Sequence, residues 1–130
     1  MTGILLDTHA VLWWYSESEK LPADVRETLI KKDGHIWVSA VSAYEITLKN
    51  RLGKLPGVEG LIGNFALRLV EDGFRQLPIS CRHALIAGDL RLTLRDPFDR
   101  LLIAQALHDD LRMVTREEVF EQYGVQRFWT

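Results

Sequence analysis

Apolar positions along this chain follow two rhythms: short unbroken runs, and longer stretches where they return every third or fourth residue. Unbroken runs suit strands buried on both faces, whereas the longer period suits helices with one apolar stripe. The runs predict strands at Gly3–Leu6, His35–Ser39, Phe74–Ile79 and Leu111–Val114, with Val125–Trp129 as a fifth. Helices are expected over His9–Tyr15 and over Leu21–Lys32, with Pro22 near the first turn and Gly34 just past the end. Ser39 is a plausible N-cap for a helix reaching about Leu52 and closed by Gly53. Gly53–Gly60, with Pro56, reads as a loop. Leu61, Phe65 and Leu69 then repeat at helical spacing until Gly73. Ser80 caps a short helix to about Gly88, and Asp96-Pro97 opens another that runs to Asp109. Thr115-x-x-Glu118 has the form of a capping box for a last helix ended by Gly124.

Strands separated by helices of this length favour an α/β domain with a central, mainly parallel sheet of four to five strands, covered on both faces. Such folds place ligand sites beyond the C-terminal ends of their strands. Acids recur at that edge. Asp7 directly follows the first strand, Glu45 lies in the helix after the second, and Asp96 and Asp99 open a helix. Glu117 and Glu118 follow the fourth strand.

Several of these acids also have structural roles to fill. Asp96 suits an N-cap before Pro97, Asp99 falls where an acid can cap reciprocally, and Glu118 suits the capping box. Asp7 ends an apolar strand, where a charge is costly to bury without a partner. Glu45 falls inside the apolar stripe Val41, Glu45, Leu48, Leu52, although a bridge to Lys49 one turn later would account for it structurally.

Length and composition narrow the classes. A chain of 130 residues, 47% hydrophobic and 26% charged, fits one folded domain spanning residues 1–130. A formal charge of −2 provides no basic surplus, so contact with phosphates would rest on local patches or bound cations. Cys81 is the lone cysteine, which rules out an intramolecular disulfide and a cysteine-rich zinc site. No apolar stretch approaches the roughly 18 residues that span a bilayer, and Ile4–Leu6 is too short for a signal peptide. A cytoplasmic protein without a membrane partner is expected.

Carboxylates converging on one poorly solvated cleft repel one another and call for a cation. Hard oxygen donors without convergent histidine or cysteine select Mg2+ or Mn2+ over zinc. An acid cluster holding such ions suits the hydrolysis of phosphodiesters.

The chain resembles the PIN-domain ribonucleases, in particular VapC-type toxins of bacterial VapBC modules. The resemblance rests on Leu5-Leu6-Asp7-Thr8-His9, on Val38 through Ile46, on Arg51-Leu52-Gly53-Lys54-Leu55, on Arg95 through Ala106, and on Met113 through Glu117. It implies a PIN-like three-layer α/β/α sandwich and an endoribonuclease dependent on Mg2+ (or Mn2+). It implies an acidic quartet at Asp7, Glu45, Asp99 and Glu117, with Asp7 and Asp99 on the metal and Glu45 binding metal or positioning water. Glutamate at 117 departs from the family's usual aspartate, and its extra methylene implies a metal held through water or more weakly. Thr8 and Thr115 would orient the carboxylates, and Asp96 would act as a cap and supporting residue. The implied partners are an RNA substrate, a cognate VapB-type antitoxin and a second copy of the chain.

Lys49, Arg51, Lys54, Arg95 and Arg100 are candidates for RNA phosphates, against a plain reading as scattered surface charge. Trp13, Trp14 and Tyr15 cannot all enter the core from one short helix, so one or two are expected on a partner surface. His9 and His83 read as structural, and Cys81 as a small buried residue. Two other functions fit parts of the pattern. A phosphatase or phospho-receiver would use Asp7 as nucleophile, but its Asp-x-Asp is missing because position 9 is His. A PIN-like interaction module without catalytic activity would need no acid cluster.

Overall fold

The computed structural model describes residues 3–91 and 93–130. Four short strands, β1 (Ile4–Leu6), β2 (Ile36–Ser39), β3 (Arg75–Leu77) and β4 (Arg112–Val114), form one parallel sheet in the order β3-β2-β1-β4. β1 is central, and all three of its residues are buried, as an unbroken apolar run requires. Seven α-helices surround the sheet among the described residues: α1 (Thr8–Ser16), α2 (Ala23–Ile30), α3 (Ala40–Arg51), α4 (Glu59–Gly63), α5 (Phe65–Glu71), α6 (Cys81–Asp89) and α7 (Pro97–His108). Short 3-10 turns occupy Ser18–Lys20 and Glu118–Tyr123. No helix among the described residues is long and apolar enough to cross a membrane.

Strand alternation divides the core in two. Ile4, Leu6, Ile36, Val38 and Val114 face one side, where Ala10, Val11, Val25, Leu29 and Leu69 cover them. Leu5 and Met113 face the other, under Leu102, Ile103, Ala106 and Phe120. The three-layer α/β/α arrangement follows. The chain builds outward from β1 through β2 to β3, then returns to place β4 on the opposite side of β1. That reversal makes the C-terminal ends of β1 and β4 the natural crevice of the sheet.

Four local expectations are corrected. Val125–Trp129 is not a strand: it makes a single bridge, Met113 to Arg127, because Phe128 and Trp129 turn away to pack on the first core cluster. The helix through Leu61, Phe65 and Leu69 is interrupted at Asn64, so α4 and α5 are separate and α4 begins inside the expected loop. Gly60 and Gly63 weaken helix persistence there, while Leu61 and Leu69 remain buried as the spacing implies. The last helix is a 3-10 turn without a capping box; Thr115 Oγ1 instead accepts from the Glu117 amide at 3.0 Å, a local turn that diverts it from Glu118. Cys81 is exposed, since it opens α6 on the solvent side.

Candidate active site

The crevice at the sheet's C-terminal edge is a cleft of about 220 Å3, lined by Asp7, Thr8, His9, Glu45, Lys49, Asp96, Asp99 and Glu117, with Leu94, Val119 and Phe120. Four elements deliver the acids. Asp7 leaves β1 and caps α1, its Oδ1 accepting from the Ala10 amide at 2.8 Å. Glu45 comes from the second turn of α3, whose start is fixed by Ser39 Oγ accepting from the Val41 amide. α7 precedes β4 and runs antiparallel to it, so its N-terminus returns to the same edge with Asp96 and Asp99. Glu117 follows β4 on the exposed rim.

Asp7 and Glu45 are each 5% exposed, so their charge is a real cost. Burial raises the Asp7 pKa, opposed by the Thr115 hydroxyl, the Ala10 amide and nearby His9. Asp99 is pushed up to about 7, by burial first and then by Asp96, Glu45, Asp7 and Glu117 in turn. Five carboxylates therefore act on one another across this cleft. Lys49 partly offsets them: its Nζ donates to Glu45 Oε2 at 2.5 Å, and Glu45 is the main cause of its raised pKa. The structural bridge expected of Glu45 and its place in the acid cleft thus coexist.

The supporting residues divide into distinct tasks. Asp96 is an N-cap, its Oδ1 accepting from the amides of Phe98 and Asp99, and no reciprocal cap from Asp99 forms. Thr8 is buried and shares a 3.0 Å hydrogen bond with Ser42 Oγ. Ser42 was not singled out from sequence, although its place one turn before Glu45 was a usable signal. Ser39 Oγ donates to Gln105 Oε1 at 2.6 Å, and Gln105 Nε2 donates to the Pro78 carbonyl, tying α3, α7 and the end of β3 together beneath the cleft.

Among the candidate RNA contacts, Arg51, Lys54 and Arg95 are exposed. Arg100 is committed elsewhere: its guanidinium donates to the carbonyls of Ala87, Gly88, Leu90 and Leu94, closing the C-terminal end of α6. That corrects its reading as a phosphate contact. Trp13, Trp14 and Tyr15 are half-buried and packed on the core, because separate elements cover each. Trp13 meets Trp129 and the Arg116 guanidinium, Trp14 Nε1 donates to Asp72 Oδ2, and the Arg68 guanidinium lies over Tyr15. All three keep part of their surface exposed, in keeping with the expectation that they cannot all enter the core from one short helix.

A larger and mainly apolar cavity, about 770 Å3, lies among α3, α4, α5 and β3, with no carboxylate in its lining. Among the described residues, one set of three acidic or imidazole side chains has donor atoms all within 4.8 Å of one another: His83, His108 and Asp109. It lies at the far end of α7 and does not suit a metal. His83 Nδ1 accepts from the Ser80 amide, so the neutral ring carries its proton on Nε2 and gives it to Asp109 Oδ2 at 2.8 Å. His83 is structural, as expected. The cleft carboxylates are spread more widely, but as hard donors with uncompensated charge they fit a divalent cation such as Mg2+ or Mn2+.

Residues 4–126 match the family model described as PIN domain. A curated relative, Ribonuclease VapC22 of Mycobacterium tuberculosis, is 28% identical over 119 residues, covering 90% of this chain and 88% of its own. Among solved structures, a chain of VapBC2 from Rickettsia felis bound to a DNA fragment from its promoter superposes with a TM-score of 0.72 at 17% identity, covering 98% of both chains. A chain of DNA-bound VapBC from Salmonella typhimurium gives a TM-score of 0.69 at 20% identity, covering 98% of this chain and 96% of that one.

Proposed function

The chain belongs to the PIN-domain family, and on that premise we propose that it is a metal-dependent endoribonuclease acting as the toxin of a VapBC-type toxin–antitoxin pair. The observation that carries this reading is the cleft itself, where Asp99, pushed up to about 7 by burial first, also meets the charges of Asp96, Glu45, Asp7 and Glu117. Such mutual repulsion costs stability unless a cation relieves it. Asp7, Asp99 and Glu45 would hold Mg2+ or Mn2+, with Glu117 reaching from the rim, by way of water. A divalent ion in that place supplies a water of lowered pKa and stabilises charge developing on the scissile phosphate.

The chain's own residues have separable tasks in that reading. The Ala10 amide fixes Asp7, and the Asp96 cap fixes the first turn of α7 from which Asp99 projects. Thr8, through Ser42, and Thr115, through the Glu117 amide, hold the backbone that presents the acids. Arg51, Lys54 and Arg95 offer exposed positive charge to an RNA backbone. A VapB-type antitoxin and a second copy of the chain are the proposed partners. The relatives, a ribonuclease and chains of VapBC complexes, support this assignment.

Cleavage of labelled RNA by purified protein with Mg2+ or Mn2+, and its loss on chelation, tests the proposal. Asp99→Asn should abolish cleavage while the circular dichroism spectrum is retained. Undiminished cleavage by that variant, or by the chelated protein, refutes it.

A further inference from the structure

Lys49 is the one lysine or arginine lining the acid cleft among the described residues. Its position is unusual for a surface lysine. An exposed i,i+4 bridge contributes little, but the Glu45 side chain is only 6% exposed, against 35% for Lys49. A carboxylate so buried needs a partner, and among the described residues Lys49 is its only hydrogen-bond donor. Asp96 and Asp99 also act on the same ammonium. Other basic side chains nearby do not share this geometry: Arg100 is sequestered by carbonyls, while Arg51, Lys54 and Arg95 are exposed outside the cleft.

We infer that the Lys49 ammonium is a built-in counter-cation, which occupies Glu45 in the ion-free protein and must be displaced for Glu45 to serve a divalent ion. This rests on the ribonuclease reading of the cleft and adds a competition to it. The two cations compete for one carboxylate: the ammonium holds Glu45 Oε2, and its positive charge opposes the approach of a divalent ion to the remaining oxygen. The lysine stem, one turn along α3 and partly exposed, has room to swing outward without disturbing the helix. Lys49 thereby lets the acid cleft fold without metal and sets a threshold for metal entry.

Calorimetric titration of Mn2+ into the wild type, Lys49→Met and Lys54→Met separates this from a general charge effect. Lys49→Met should bind Mn2+ at least fivefold more tightly than the wild type, while Lys54→Met, with the same change in charge, stays within twofold. In EDTA the melting temperature of Lys49→Met should fall, and Mn2+ should restore more of it than in the wild type. A crystal of the wild type soaked in Mn2+ should show Lys49 released from Glu45, which tests the competition should the variant fold poorly. Mn2+ binding by the wild type with unchanged or weaker binding by Lys49→Met overturns this inference alone, as does an intact Lys49–Glu45 contact in the soaked crystal. No Mn2+ binding by wild type or variant overturns both this and the ribonuclease reading.

Discussion

The two ends of α7 gather polar side chains of similar kinds and use them in opposite ways. At its C-terminal end His83 is buried, yet each ring nitrogen has a partner: the Ser80 amide on one side and Asp109 on the other. At its N-terminal end Asp99 faces Asp96, Glu45, Asp7 and Glu117, and the cleft supplies one lysine against them. A saturated cluster rigidifies a fold and has nothing left to offer a ligand. An under-compensated one costs stability and retains unspent affinity for a cation. Residue type alone would rank the histidine–aspartate set as the better metal site; hydrogen-bond accounting reverses the order.

The comparison breaks most severely at Asp7. Asp7→Asn should reduce RNA cleavage about a hundredfold or more, on the scale of losing one electrostatic stabiliser at a reacting phosphate. A steady-state assay with Mn2+ checks it, and an effect below tenfold would place Asp7 with the structural caps.

At the opposite end, His83→Ala should cost roughly 2 kcal/mol of folding stability, through the lost reciprocal half of the α6 cap and the cavity left by a buried ring. Urea denaturation reads this directly. Metal affinity should be unaltered, and a fall in Mn2+ binding would contradict the division between the ends.

Asp99→Asn sharpens the contrast because its sign is opposite. A carboxyl raised to about 7, from about 3.9 in an unfolded chain, binds more protons when folded between those values. Its contribution to stability is therefore lost as pH rises from about 4 to 7. In EDTA at pH 8 the variant should be more stable than the wild type by about 1–2 kcal/mol, discounted for partial exposure. Thermal melts across pH 5 to 8 should show a shallower decline for the variant; parallel curves would contradict this.

The smallest change is expected at Glu117, which stands on the rim. Glu117→Asp, which shortens the side chain by a methylene, should shift Mn2+ affinity by no more than about 0.5 kcal/mol, the range of surface substitutions. Calorimetry checks it, and a larger gain would move Glu117 to a direct ligand.

Much of this was legible from the chain in order. The short apolar runs located all four strands, and Asp96-Pro97 and Ser39 marked their helix starts as the caps proved to be. Asp7, Glu45 and Asp99 were singled out by position and do line one cleft. Arg100 was misjudged because nothing local distinguishes an arginine that meets solvent from one that folds back on carbonyls. Its nearest such contact lies 6 residues away and its farthest 13. The hydrogen-bond partner of Trp14 was beyond local reading for the same reason at longer range, since its acceptor lies 58 residues on.

The sequence by itself determined where the four strands and the best-capped helices, α3 and α7, begin, because periodicity, proline and capping residues act on near neighbours. It also carried the PIN-domain membership. Tertiary structure alone decided which polar groups are satisfied, as with Ser39 and Gln105, joined across 66 residues. It alone decided that four separate elements would aim their acids into one cleft while leaving it a single lysine. Desolvation and Coulomb energy depend on distance and burial in three dimensions, so charges far apart along a chain acquire chemistry only once folding has made them neighbours.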